Sequence, residues 1–453
     1  MNEEKKIEIS PTFCLLPWVH LSTRPNGHLR LCCTANASSA GATNDKIYGG
    51  EVGILKKENG KPANLNTTGL LEGWNNEYMR DVRLTMLDGK IPASCSKCFK
   101  EEASGVQSKR QWETKYWSER VNVADIIAKT APDGTVPPHL VYLDLRLGSK
   151  CNLKCIMCSP HDSSMWVPDW LKLHPKIKNE SLKQIMSWDN RGKNDDANYN
   201  WHLNNPKFWA ELYDQIPNMQ QLYFAGGEPL IIDAHFELLE QCVKRGEAGH
   251  IELRYNSNGL VIPEELLELW NHFKRVRFGF SLDGYGKHDE YIRYPTDFSV
   301  IEKNLRRLDE TPDNIEITIA CAVQMLNMYY IPDFIQWKLD QGYKKINPYP
   351  LGAGLINLHG VYHPAMLNIK VFPLRFKKKI AKKFEAFDDC YRHLHPRYQE
   401  PYGLPRIRNF VKFMFSEDWS VRLPEFQEYI TKMDEIRGTR FTETFPEMAE
   451  LME

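Results

Sequence analysis

No run of apolar residues in this chain approaches the length needed to cross a bilayer, and its start, Met1-Asn2-Glu3-Glu4-Lys5-Lys6, lacks the apolar core of a secretory signal. A membrane partner is therefore not expected, and the expected location is the cytoplasm. An excess of either charge is missing too. Lys plus Arg number 58 and Asp plus Glu 59, so no global field recruits nucleic acid or an anionic surface. What the chain does have is length. Its 453 residues allow a barrel-sized core with an appendage, and two domains are the starting expectation.

It also has cysteine, in an odd number: eleven, of which eight fall within the first 158 residues at short spacings. In a reducing compartment that pattern reads as metal ligation sooner than as disulfides. Cys242, Cys321 and Cys390 stand alone and read as small hydrophobes. The densest group is Gly148-Ser149-Lys150-Cys151-Asn152-Leu153-Lys154-Cys155-Ile156-Met157-Cys158, a C-x3-C-x2-C array directly after the strand-like run Val141 to Arg146. Soft thiolates gathered this closely select an iron-sulfur cluster or zinc. Three ligands leave a fourth metal position open, which a structural zinc site does not tolerate and a reactive cluster requires.

Upstream, Pro25-Asn26-Gly27 between the alternating runs 20–23 and 28–31 predicts a hairpin that brings Cys14 and Cys32 to neighbouring strand ends. Residues 34–68, rich in Asn, Gly, Ser, Thr and Lys, read as a surface loop. A helical stretch from Leu70 to Leu87 leads to Cys95-Ser96-Lys97-Cys98. With Cys14 and Cys32 this C-x2-C step completes a four-ligand set, which spacing alone leaves open between a zinc ribbon and a cluster. Cys33 is an alternative to Cys32. Cys14, Gly27 before Cys32, Leu71-Glu72-Gly73-Trp74-Asn75, Arg83 and Cys95-x2-Cys98 together resemble the SPASM/twitch domains that accompany radical S-adenosylmethionine (SAM) enzymes. The resemblance implies one auxiliary iron-sulfur cluster, of the 4Fe-4S type, at Cys14, Cys32, Cys95 and Cys98. The departure is position, because such domains usually follow the barrel.

From residue 140 strand and helix patterns alternate about six times, with strand-like runs at 141–146, 220–224, 251–256, 275–281, 315–323 and 345–348 and helical stretches such as Phe236 to Lys244 and Phe298 to Leu308. That rhythm predicts an α/β fold of parallel strands, a partial (β/α)6 TIM-like barrel. Residues 159–205 interrupt it as an inserted loop or lid. The strands also alternate internally: Ile315, Ile317, Ile319, Cys321 and Val323 share one face, while Glu316, Thr318, Ala320, Ala322 and Gln324 share the other. A polar face of this kind, turned to a lumen, needs a ligand or water to satisfy it.

Short polar motifs close successive strands: Gly226-Gly227-Glu228-Pro229, Asn256-Ser257-Asn258-Gly259 and Ser281-Leu282-Asp283-Gly284. Each alone is ordinary turn or cap chemistry. In parallel α/β folds, however, the carboxyl ends of strands build the ligand site. The full set resembles the radical SAM superfamily over roughly residues 140–350. That resemblance implies that Cys151, Cys155 and Cys158 hold a 4Fe-4S cluster whose open iron takes the amino and carboxylate groups of SAM. It further implies that Gly226, Gly227, Glu228 and Pro229 face the SAM amino group, that Asn256, Ser257, Ser281 and Asp283 lie near its ribose or carboxylate, and that Val323 and Gln324 border the adenine. Met157 stands where the family commonly has an aromatic residue beside the adenine, and a thioether fills that space.

Three segments follow: a twitch-like auxiliary domain at 1–130, the partial barrel at 131–350 and a helical extension at 351–453. In the last, Phe376, Ile380, Phe384 and Phe387 form one stripe beneath a lysine-rich face. The expected activity is reductive cleavage of SAM to a 5′-deoxyadenosyl radical that takes a hydrogen atom from a peptide or protein side chain. A low-potential donor such as flavodoxin or ferredoxin would supply the electron. The alternatives are the same chemistry on a sugar or aminocyclitol, and a zinc-bearing binding protein without catalysis.

Overall fold

A short helix, Leu16–Val19, opens the described part of the chain and leads into two strands joined by a tight turn. The computed structural model describes residues 10–35, 53–57, 62–103, 107–187, 199–346, 356–394 and 404–453. The extreme N-terminus, most of the 34–68 loop, the centre of the 159–205 insertion and residues 347–348 of the sixth expected strand lie outside them. β1 (His20–Thr23) and β2 (Leu29–Arg30) pair antiparallel, with Ser22 opposite Arg30. Gly27 supplies the left-handed residue of the turn, at φ +83°.

Six further strands follow: β3 (Tyr142–Leu145), β4 (Gln221–Phe224), β5 (Glu252–Ser257), β6 (Arg275–Ser281), β7 (Ile315–Val323) and β8 (Asn357–Gly360). The result is an α/β fold with an eight-stranded, mostly parallel sheet. Compactness divides the chain into two interleaved units, one of residues 1–149, 194–227 and 232–253, the other of 150–193, 228–231 and 254–453. They do not follow the segment limits at 130 and 350 read from sequence.

In the first unit the order is β2-β1-β3-β4, followed by the start of β5. β1 runs parallel to β3, with His20 opposite Tyr142 and Ser22 opposite Asp144, so the hairpin is built into the sheet. The helix expected over 70–87 is two helices, Leu70–Trp74 and Glu77–Leu87. The break falls at Asn76, whose side chain accepts a hydrogen bond from Tyr78 N at 3.0 Å and starts the second helix as its cap. Arg83 is fully buried, and its guanidinium donates to the carbonyls of Pro17, Trp74 and Gly134 and to Asn75 Oδ1. Those four bonds make the burial of a charged group tolerable.

In the second unit the remainder of β5 leads to β6, β7 and β8. β7 follows the alternation read from sequence: Ile315, Ile317, Ile319, Cys321 and Val323 are buried, and the residues between them are half-buried. β6 does the same with Val276, Phe278 and Phe280. The strand that pairs with β7 beyond it is Asn357–Gly360, with Ala320 opposite Asn357. A four-residue strand with a single buried side chain, Leu358, carries almost no periodic pattern. Within the C-terminal hundred residues, the helix Leu374–Leu394 buries Phe376, Ile380 and Phe384 as expected, and a second long helix spans Leu423–Arg437.

Candidate active site

The loop after β3 is irregular and closely held. Cys155 is buried, while Cys151 and Cys158 are half-buried. Leu153 N donates to Cys151 Sγ at 3.4 Å and Cys158 N to Cys155 O at 2.9 Å, and the Cys155 and Cys158 thiols are hydrogen-bonded. That bond lowers the Cys155 pKa, and the guanidinium groups of Arg293 and Arg437 add to the effect against burial. Cys158, the donor, is raised by the same bond and by burial. Burial and the charge of Cys155 push the Cys151 thiol up to about 12. Three thiols within electrostatic reach of one another fit a ligand set whose thiolates need a positive group to compensate them.

The strand-end motifs lock onto this loop. Glu228 N donates to Lys150 O at 2.8 Å. Its carboxylate accepts from Ser257 Oγ at 2.7 Å, Asn258 N at 2.8 Å and Leu230 N at 3.1 Å. Asn258 Nδ2 in turn reaches Asn152 Oδ1 at 2.7 Å. The Glu228 side chain is thus a buried brace between loops, already occupied by three donors. Burial pushes its pKa up to about 7, opposed by the bonds from Asn258, Ser257 and Leu230. Gly226 and Gly227 sit at φ +79° and +60°, a left-handed pair that only glycine adopts without strain.

At the ends of β6 and β7 Asp283 is buried and engaged: its Oδ1 accepts Ala322 N at 2.6 Å and its Oδ2 faces Arg293 Nε at 2.9 Å. Asp289 Oδ1 accepts Asp283 N at 2.8 Å, and Arg293 Nη1 lies 4.0 Å from Cys155 Sγ. Asn327 donates to the carbonyls of Asp283 and Ala322. Ser281 and Met157 are half-buried and Asn256 is exposed, whereas Pro229, Val323 and Gln324 are buried. Val323 lies on the apolar face of β7, and Gln324 N donates to Asn327 Oδ1 at 2.8 Å.

Arg293, Asp289 and Asn327 belong to this arrangement and had no sequence motif to mark them, whereas Asn152 lay inside the quoted cysteine stretch. Asn258 lay inside a quoted motif, and its link to Asn152 is visible only in three dimensions.

In the first unit one cavity is lined by Cys14, Cys32, Cys95 and Cys98 together with Lys109 and Arg110; Cys33 does not line it. The hairpin and the C-x2-C helix therefore bring the four expected cysteines together. Burial raises Cys14 well above the ordinary thiol value and pushes Cys95 up to about 12; burial and then Cys33 raise Cys32. Cys14, Cys32 and Cys95 thus resist ionisation unless a metal compensates them, and with Cys98 beside them the donor set fits a thiolate-ligated group. Among the described residues, no three His, Cys, Asp or Glu side chains stand at the mutual spacing of ligands to one metal ion. Cluster thiolates attach to separate irons.

An α/β chain with three thiols on the loop after a parallel strand, braced by the ends of the following strands, is the class that these observations define. Residues 145–320, less than half of the chain, match the family model of the Radical SAM superfamily. No curated protein matches the chain. Among solved structures it is similar to Streptococcus suis SuiB bound to S-adenosylmethionine, at 12% identity over 70% of this chain and 62% of that one, with a TM-score of 0.32. A second Streptococcus suis SuiB structure gives 14% identity over 63% and 65%, with a TM-score of 0.29. TYW1 with a lysine-pyruvate adduct gives 14% over 55% and 71%, with a TM-score of 0.26. The chain spans about 62% of the length of the first SuiB chain, and TM-scores this low carry no conclusion about its own chemistry.

Glu228→Gln is expected to destabilise the protein by about 1–3 kcal/mol, because either placement of the amide NH2 confronts a backbone N–H that the carboxylate now satisfies. Urea unfolding at pH 7 measures it, and an unchanged midpoint would contradict the brace.

Proposed function

We propose that this chain is a radical SAM enzyme that modifies a peptide or protein side chain, with its parallel sheet curved into a partial barrel and an N-terminal twitch-like domain. The observation that carries the reading is the pinned loop with three cysteines and no fourth. The match of residues 145–320 to the Radical SAM superfamily supports it. When bound at these thiolates, a 4Fe-4S cluster supplies the electron that splits SAM into methionine and the 5′-deoxyadenosyl radical that takes hydrogen from substrate.

The chain's own residues do the rest. Cys151, Cys155 and Cys158 hold the group and leave one position open for the SAM amino and carboxylate groups. Gly226 and Gly227 offer backbone carbonyls to the SAM ammonium, since the Glu228 carboxylate is already occupied. Asn256 and Ser281 would face ribose or carboxylate and Met157 adenine, while Ser257 and Asp283 hold the strand ends in place. Cys14, Cys32, Cys95 and Cys98 hold the auxiliary cluster. A cytoplasmic low-potential donor of the flavodoxin or ferredoxin type would serve as reductant.

The test is anaerobic reconstitution with iron and sulfide, followed by SAM and dithionite. Methionine and 5′-deoxyadenosine are expected in equal amounts. Iron loading without either product, or tight zinc binding instead of iron, would overturn the reading.

A further inference from the structure

Four consecutive carbonyls of the cysteine loop each accept a side-chain hydrogen bond. Ser163 Oγ reaches Leu153 O at 2.5 Å, Arg437 Nη2 reaches Lys154 O at 2.6 Å, Trp166 Nε1 reaches Cys155 O at 2.7 Å, and the Tyr429 hydroxyl reaches Ile156 O at 2.7 Å. The alternate amides, Lys154 N and Ile156 N, donate to Tyr294 O and Ile292 O. This stretch is neither helix nor strand, so its backbone groups must be satisfied one at a time. Which atoms satisfy them fixes the path of the chain between the ligands.

Two of the four donors belong to one element, the helix Leu423–Arg437, remote in sequence. That helix packs against the core through Phe426, Ile430 and Met433, all buried. Tyr429 and Arg437, a little over two turns apart, turn their polar atoms to the loop. Arg437 is held in turn: its Nε pairs with Asp169 at 3.1 Å, Asp169 also takes Lys154 Nζ at 2.7 Å, and the Trp166 and Tyr294 rings lie 5.1 and 5.2 Å from the guanidinium. The end of the helix is anchored as well, since Asp434 accepts from the Tyr291 hydroxyl and from Phe441 N, each at 2.8 Å.

Resting on the reading of Cys151, Cys155 and Cys158 as cluster ligands, we infer that the Leu423–Arg437 helix is a positioning element of the cluster loop, with Tyr429 and Arg437 as its positioning residues. They hold the carbonyls between the ligands, so that the three sulfurs keep their spacing. This assigns a role to a C-terminal segment that carries no recognisable motif of its own.

The test uses the full chain reconstituted with iron and sulfide. Iron bound through Cys155 is the difference between parent and Cys155→Ala. Tyr429→Phe removes one oxygen and leaves the ring, and loss of that iron to a ferrous chelator is expected to become about tenfold faster, the usual scale for groups that orient metal ligands. Arg437→Met is expected to be faster still, with Arg437→Lys between it and the parent. The electron paramagnetic resonance signal of the reduced protein with SAM should broaden in Tyr429→Phe, a change that packing alone would not produce. Equal release rates in parent and Tyr429→Phe, with only a lowered melting temperature, would overturn the inference. No iron difference between parent and Cys155→Ala would overturn the ligand reading on which it rests, a distinguishable failure.

Discussion

Replacing Cys155 with alanine is expected to abolish 5′-deoxyadenosine formation, while replacing Cys98 leaves it within about tenfold of the parent, a barrier change of about 1.4 kcal/mol. The contrast follows from where the two cysteines sit. Cys155 is 6% exposed, accepts the Cys158 thiol hydrogen bond and lies within reach of two buried guanidinium groups. Alanine removes one of the three thiols of the set with the open position. Cys98 shares a cavity with three other cysteines and three basic residues, Lys97, Lys109 and Arg110; its loss should lower iron content and substrate turnover without preventing SAM cleavage. Chromatographic measurement of 5′-deoxyadenosine, with iron counted in the same samples, separates the two. Retained cleavage in Cys155→Ala, or equal loss in Cys98→Ala, would mean that three and four ligands do not divide the roles as proposed.

Much of this arrangement was legible because it is local. The C-x3-C-x2-C loop, the Pro-Asn-Gly turn and the two-residue alternation of β6 and β7 each reside in a few neighbouring residues, where side-chain type and period suffice. The hairpin placed Cys14 near Cys32, and the count of ligands, not the hairpin, joined them to Cys95 and Cys98. The helix break at Asn76 was a cap residue read as helix interior, a local signal passed over.

Contacts between distant positions were not legible. Tyr429 and Ile156 are 273 residues apart, and Arg437 and Lys154 are 283. No periodicity within the Leu423–Arg437 helix distinguishes a tyrosine that holds a carbonyl from one that packs. Glu228 shows the converse. Its motif was evident, yet its environment decided its role: three internal donors converge on the carboxylate, so the residue that looked available to a ligand's ammonium group is the one that ties the strand ends together.

The second large effect is expected at Arg293. Its side chain lies between Asp283 and Asp289, neither of which has any solvent exposure, with Nε 2.9 Å from Asp283 Oδ2 and 4.0 Å from Asp289 Oδ1. Burial pushes Asp289 up to about 8, with Arg293 opposing and Asp283 reinforcing, and the shorter distance makes Asp283 the carboxylate that Arg293 chiefly balances. Arg293→Met leaves that carboxylate buried without its cation, and removing one partner of a buried pair costs about 3–5 kcal/mol. Because the cost arises from the orphaned charge, Arg293→Met combined with Asp283→Asn should recover part of it, giving a coupling that two independent sites would not show. Arg293→Lys keeps the charge but not the planar fork, and should fall between. Urea unfolding at pH 7 of the parent, Arg293→Met, Asp283→Asn and the double variant measures the cycle; a cost of Arg293→Met below about 1 kcal/mol, the scale of a solvent-exposed pair, would show that the charges are not buried together as the structure has them. The same substitution removes a positive group 4.0 Å from Cys155 Sγ, so a redox group bound there should become harder to reduce. Arg293 thus joins the stability of the strand ends to the electrostatics of the cysteine that the chemistry depends on most.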